Sequence, residues 1–169
     1  MAKLLKVITA GDGGVGKTTL LYRYVEGRFL ADTKMTLGVE FFIKELDIKG
    51  ESISLQIWDF GGQDHFRPLL ENYAIGARGA LLLFDLTRPS SLESIAQWVK
   101  ICRGKNPGIP IIFLGTKLDL TESVTVDDKF ARGFPKEYDF FKYIKISSKT
   151  GQNIDLAFKL LAKEIIKKL

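Results

Sequence analysis

Three short stretches of this chain, LLKVITAG at 4–11, ALLLFDL at 80–86 and IPIIFLGTK at 109–117, are apolar at nearly every position and end on turn-forming residues. A strand with one wet face alternates between apolar and polar side chains. A run without alternation is covered on both faces, as strands of parallel sheets are. Among and after these runs, KTTLLYRYVEG (17–27), SSLESIAQWVKICRG (90–104) and GQNIDLAFKLLAKEIIKKL (151–169) repeat apolar residues at three and four, as in Ile154, Phe158, Leu161 and Ile165. That spacing predicts helices. One segment breaks the alternation of strand and helix: VEFFIKELDIKGESISLQIWD (39–59) has two β-rich arms around Lys49-Gly50 and predicts an antiparallel hairpin at the sheet edge. With a last short strand before ISSKTG (146–151), the expectation is a doubly wound α/β fold. It has a mostly parallel six-stranded sheet, one antiparallel edge hairpin and helices on both faces, and its ligands lie beyond the carboxyl ends of the strands. With 169 residues, 46% of them hydrophobic, residues 1–169 are expected to form one domain.

Charge and cysteine content exclude several classes. Lys and Arg number 25 against 20 Asp and Glu, and the surplus is scattered rather than gathered into a block, so no nucleic-acid partner is expected. The single cysteine, Cys102, permits neither a disulfide framework nor a thiolate metal cluster within the chain, which fits a reducing compartment. MAKLLKVITA has too short an apolar run for a signal peptide, and no run reaches the ~18 residues of a membrane span. The expected location is the cytoplasm.

The chemistry concentrates at the predicted carboxyl ends. GDGGVGKTT (11–19) follows the first strand, enters the first helix, and matches G-x-x-x-x-G-K-[ST] in full. Such glycines let backbone N–H groups turn toward phosphate oxygens, and the helix N-terminus adds partial positive charge. Lys17 supplies a point cation and Thr18 a hydroxyl for Mg²⁺. WDFGGQD (58–64) closes the hairpin at another carboxyl end, where Asp59 can reach Mg²⁺ and Gly62 can offer its N–H to a terminal phosphate. Gln63 is placed to orient a water for attack on that phosphate. In GTKLDL (115–120), an ionised Asp119 can accept the N1–H and 2-amino group of guanine, donors that adenine lacks, and the stem of Lys117 can lie along the ring. In ISSKTG, the Ser148 N–H can reach the guanine O6.

These motifs, in this order and spacing across nearly the whole chain, resemble those of the Ras-superfamily small GTPases. The resemblance implies a P-loop NTPase G domain that binds and hydrolyses GTP with Mg²⁺. Carried over residue by residue, it implies nucleotide contacts from Gly13, Gly14, Val15, Gly16, Lys17, Thr18 and Thr19, from Phe29, Thr36 and Gly62, and from Thr116, Lys117, Asp119, Ser147, Ser148 and Lys149. It implies Thr18, Thr36 and Asp59 as metal ligands and Gln63 as the catalytic residue. Residues 28–38 and 59–74 correspond to switches I and II, ordered through Thr36 and Gly62 by the γ-phosphate and released without it. Phe41, Trp58 and Tyr73 resemble an exposed aromatic triad that meets effectors; Trp58 alternates with Ile57 and is expected to face away from the core. TLGVEF (36–41), IWD and DLT are similar to the Rab branch, GTKLDL to Rho and DFGGQ to Arf.

The chain also departs from the family pattern. Thr116 replaces the usual asparagine, removing the amide that braces this loop to the phosphate loop, although the Rho branch tolerates threonine. Gly61 replaces an alanine and should loosen the start of switch II. Thr33 stands in place of a shielding tyrosine, at the position where Gα relatives carry a catalytic arginine; no arginine is built into switch I, so slow intrinsic hydrolysis and acceleration by a partner are expected. The only histidine, His65, has no second ligand nearby and is expected to be a surface residue. The sequence shows no prenylation or myristoylation signal, so membrane contact is expected to be weak and peripheral, resting on the lysine face of Lys159, Lys163 and Lys167. The implied partners are effectors, a GTPase-activating protein and an exchange factor, with the chain itself a monomer. A GTP-locked scaffold with negligible turnover is the alternative. An ATP-dependent metabolite kinase would need an arginine-rich lid, which the sequence lacks.

Overall fold

The computed structural model describes residues 2–31, 36, 38–63 and 67–169. Its sheet has six strands in the order β2-β3-β1-β4-β5-β6. These are β1 (Lys3–Ala10), β2 (Val39–Ile48), β3 (Glu51–Phe60), β4 (Gly79–Asp85), β5 (Ile111–Thr116) and β6 (Lys142–Lys145). Among the described residues only the β2 to β3 pairing is antiparallel; β1 pairs in parallel with β3 and β4, β4 with β5, and β5 with β6. The sequence expectation of a mostly parallel sheet with one edge hairpin is borne out. The hairpin turn has both central residues at positive φ, Lys49 at 53° and Gly50 at 82°. That twist matches the flanking strands, and the Asp47 carboxylate accepts the Gly50 N–H at 2.9 Å.

The helices are α1 (Lys17–Leu21), continued by a π turn at Tyr22–Glu26, α2 (Arg67–Tyr73), α3 (Ile95–Arg103), α4 (Asp128–Ala131), α5 (Gly133–Tyr138) and α6 (Ile154–Lys168). Successive side chains of the central strands feed two cores. On one face Leu5, Val7, Leu81 and Leu83 meet Leu20 and Leu21 of α1 and Phe158, Leu161 and Ile165 of α6. On the other, Ile8, Ala10, Leu82 and Phe84 meet Leu70 of α2 and Ile95, Trp98 and Ile101 of α3. This explains the lack of alternation in the apolar runs: the sheet has no wet face at its centre.

Two sequence readings are refined. The 90–104 segment opens with a 3₁₀ turn at Pro89–Leu92 before α3 begins. Trp58 does lie opposite Ile57, but that side is the second core, against which Trp58 is half-buried. Cys102 is fully buried in α3, and burial pushes its thiol up to about 12. Among the described residues no helix is long and apolar enough to cross a membrane.

Candidate nucleotide site

The strand ends place the motif residues around one rim. Between β1 and α1 the glycine loop folds back with Gly14 and Gly16 at positive φ, 78° and 101°. Lys17 opens α1 and turns its ammonium inward, donating to the carbonyls of Gly11 at 2.6 Å and Asp12 at 3.0 Å. It is only 6% exposed, and burial draws its pKa down to about 8; Asp59 and Asp12 oppose that shift, while Arg67 and Arg88 add to it. A buried cation crowded by other cations is held in a setting that an anionic ligand would relieve.

Beside it, three oxygens from three segments converge. Thr18 Oγ1 donates to Asp59 Oδ2 at 2.6 Å and lies 2.7 Å from Thr36 Oγ1, which is itself 3.3 Å from Asp59 Oδ2. Thr9 fixes the other carboxylate oxygen, donating to Oδ1 at 3.1 Å. Asp59 is fully buried, and desolvation pushes its pKa up despite the hydrogen bonds from Thr18, Thr9 and Thr36 and the charge of Lys17. A buried carboxylate with two hydroxyls is a hard oxygen set, and it fits a small cation such as Mg²⁺ that keeps further positions for phosphate and water.

Gly62 lies directly on the phosphate loop. A Cβ on Gly62 would collide with the backbone nitrogen of Gly13, so no other residue permits this approach. Gln63 follows, and both atoms of its amide are buried without a hydrogen-bond partner among the described residues. Arg67 holds the arrangement: it donates to the Gly62 carbonyl from Nε at 3.2 Å and Nη2 at 2.9 Å, to Asp12 at 3.0 Å and to Gln97 at 2.7 Å. Its guanidinium lies 4.7 Å from the Trp98 ring, whose Nε1 donates to the same Asp12 oxygen at 2.9 Å. Sequence reasoning passed over this cluster. The available signal was Asp12, a carboxylate inside an anion-binding loop, which requires a cationic neighbour.

On the far side of the loop a cavity of about 500 Å³ is lined by Gly14, Gly16, Thr19, Phe29, Thr116, Lys117, Asp119, Ser148 and Lys149. Lys117 adopts positive φ (66°), and its ammonium reaches the Gly14 carbonyl at 3.1 Å and Asp85 at 2.8 Å. Thr116 takes over the bracing role itself: its hydroxyl donates to the Val15 carbonyl at 2.6 Å. The buried Ser147 hydroxyl donates to Asp119 at 2.8 Å and holds that carboxylate at the cavity edge. Arg23, a further residue the sequence did not flag, spans from the π turn after α1 to the carbonyls of Lys149 at 3.4 Å and Thr150 at 3.3 Å.

Phe41, Trp58 and Tyr73 form one row on the surface, with ring centroids 4.3 Å apart for the first pair and 6.2 Å for the second. Lys6 backs this row, its ammonium 3.8 Å from the centre of the Trp58 ring. Thr33 and His65 lie outside the described residues. The described residues contain no cluster of three His, Cys, Asp or Glu that could hold a metal. Any cation at Asp59 therefore relies on hydroxyls and a ligand's own oxygens.

The chain is 36% identical over 167 residues to the Ras-related protein Rab-8B of Dictyostelium discoideum, covering 98% of this chain and 82% of that protein. It is 40% identical over 162 residues to Ras-related protein Rab-26 of Bos taurus, where it covers 95% of this chain but 63% of the relative. It is 35% identical over 163 residues to RABA2a of Arabidopsis thaliana, covering 96% and 75%. The Ras family model matches residues 6–167, and the chain therefore belongs to the Ras family.

Proposed function

We propose that this chain is a guanine-nucleotide switch that hydrolyses GTP to GDP and recruits effectors in its GTP form. The observation that carries the reading is the meeting of Thr18, Thr36 and Asp59 within 3.3 Å at the mouth of the phosphate loop. It joins the loop, switch I and switch II at one point. Asp119, with Lys117 and Ser148 on the same cavity, selects guanine. Lys17 and the loop N–H groups neutralise the phosphates, and Gln63, held next to Gly62, orients the attacking water. Thr18, Thr36 and Asp59 would hold Mg²⁺, which when bound supplies charge neutralisation to the outer phosphates.

In the reaction, the water oxygen bonds to the γ-phosphorus as its bond to the bridging oxygen breaks. The electron pair stays on GDP, and the water's protons leave with inorganic phosphate. Without a partner the rate is slow, on the order of 10⁻⁴ to 10⁻² per second, and an activating protein raises it. An exchange factor reloads the chain, and effectors read the Phe41, Trp58 and Tyr73 row. The chain acts as a monomer in the cytoplasm, with peripheral membrane contact.

Two measurements test this. GTP should displace bound labelled GDP while ATP at a thousandfold excess should not. After long incubation the bound nucleotide should be GDP; recovery of intact GTP would identify the nucleotide-locked alternative instead. Equal competition by ATP would overturn the guanine reading.

A further inference from the structure

A second arginine besides Arg67 reaches the phosphate loop, from the turn after β4. Arg88 donates from Nη2 to the Gly13 carbonyl at 2.8 Å, and its Nη1 would lie 3.4 Å from a Cβ on Gly14. Its mount is rigid. The Arg88 N–H donates to the Asp85 carbonyl at 3.0 Å, its own carbonyl accepts from the Ser91 hydroxyl at 2.7 Å and the Ser91 N–H at 3.0 Å, and Pro89 follows.

The charge of this side chain is not matched. Among the described residues no carboxylate lies within ion-pair distance of Arg88, whereas Arg28, Arg67 and Arg132 each have one, and Arg23 is engaged with the last loop. Its Nε is buried and without a hydrogen-bond partner among the described residues. Its field also reaches Lys17, where it helps lower the lysine's pKa. A half-buried guanidinium with an orphaned donor, set beside a cationic anion-binding loop, is costly unless an anion completes it. Bracing Gly13 would need one neutral donor; it would not need the charge.

We propose that Arg88 is a charge-stabilising arginine supplied in cis, directed at the transferring γ-phosphoryl group from the turn after β4 rather than from switch I. This rests on the GTPase reading above. As the bond to the bridging oxygen breaks, its electron pair puts negative charge on that oxygen, and a fixed guanidinium on the Gly13 flank stabilises this charge together with the charge already spread over the γ-phosphate oxygens. Family members without a built-in arginine turn over at about 4 × 10⁻⁴ per second and those with one at about 10⁻². This chain should therefore lie near the upper value without any partner.

The test compares the wild type with Arg88→Ala, Arg88→Gln, which keeps a donor for the Gly13 carbonyl without the charge, and Arg88→Lys. Each protein is loaded with fluorescent GDP and challenged with aluminium fluoride, a mimic of the planar transferring group, and single-turnover GTP hydrolysis is followed in parallel. The wild type should form the aluminium fluoride complex alone. Arg88→Ala and Arg88→Gln should fail to form it and should hydrolyse about twentyfold more slowly, with GDP affinity kept within about twofold. Arg88→Lys should recover part of both. Wild-type behaviour in Arg88→Gln, or loss of GDP affinity in Arg88→Ala that Arg88→Gln restores together with the rate, would make Arg88 a neutral brace and overturn the proposal. A wild type that binds no guanine nucleotide would overturn the GTPase reading itself.

Discussion

Two residues carry sharp consequences for binding. The Ser147 hydroxyl donates to Asp119, and on the proposed guanine reading Asp119→Asn should exchange the preferred donor pattern. GTP affinity should fall by about 10²-fold or more and affinity for xanthosine triphosphate should rise, because asparagine can donate to the 2-oxo group. Competition titration reads both, and unchanged GTP affinity would remove the guanine assignment. Gly61 is the second case. Its N–H donates to the Gly38 carbonyl at 2.7 Å, and a Cβ there would lie 2.6 Å from the Thr36 carbonyl, so its small size serves a close approach between the switches. Gly61→Ala should push Thr36 off the Asp59 oxygen and cost about 1–3 kcal/mol of the preference for a GTP analogue over GDP. Calorimetric titration with both nucleotides would show it. Both positions were visible in the sequence as motif letters. The contacts that fix them were not, because Ser147 and Gly38 are distant from them in the chain and meet them only through the sheet.

At the scale of elements, legibility followed length and periodicity. The three covered runs, the hairpin and α6 have enough residues to show a period. The short α2, α4 and α5, of 7, 4 and 6 residues, were not predicted as helices. Such segments are too brief for a 3.6 period, and α2 carries Pro68 near its start, where proline is tolerated but reads as a breaker. The ties between elements were also hidden. Arg23 holds the last loop against the first helix through two long, exposed hydrogen bonds. Losing them should leave the fold intact but loosen one wall of the base cavity. Arg23→Ala should speed GDP release about fivefold, the equivalent of about 1 kcal/mol, measured as the off-rate of a fluorescent GDP. An unchanged rate would show that the loop stands without the clamp.

Over the whole molecule, β4 and the loop after β5 are joined at their carboxyl ends by an ion pair between Asp85 and Lys117 at 2.8 Å, with Asp85 almost fully buried. Burial alone would raise the Asp85 pKa, but the hydrogen bonds from Lys117 and Thr87 outweigh it and hold the carboxyl below its ordinary 3.8. The unfolded chain therefore binds the proton more readily. The pair's contribution is complete above the ordinary carboxylate range and is lost as pH falls through the lower folded value. Asp85→Asn should cost about 2 kcal/mol near neutrality, or roughly 4–8 °C in Tm for a domain of this size, and the gap from wild type should close below about pH 4. Scanning thermal unfolding of both proteins from pH 7 to pH 3 checks this; a constant gap would mean that the pair does not titrate as described.

The solitary, fully enclosed Cys102 makes the native protein its own reporter. A thiol reagent in solution can modify it only after α3 opens away from the sheet. The rate of labelling is therefore a clock for that opening, obtained without adding a probe or removing a background thiol. A tightly held nucleotide should slow that clock in proportion to its occupancy, so ligands can be ranked by labelling time on the unmodified chain.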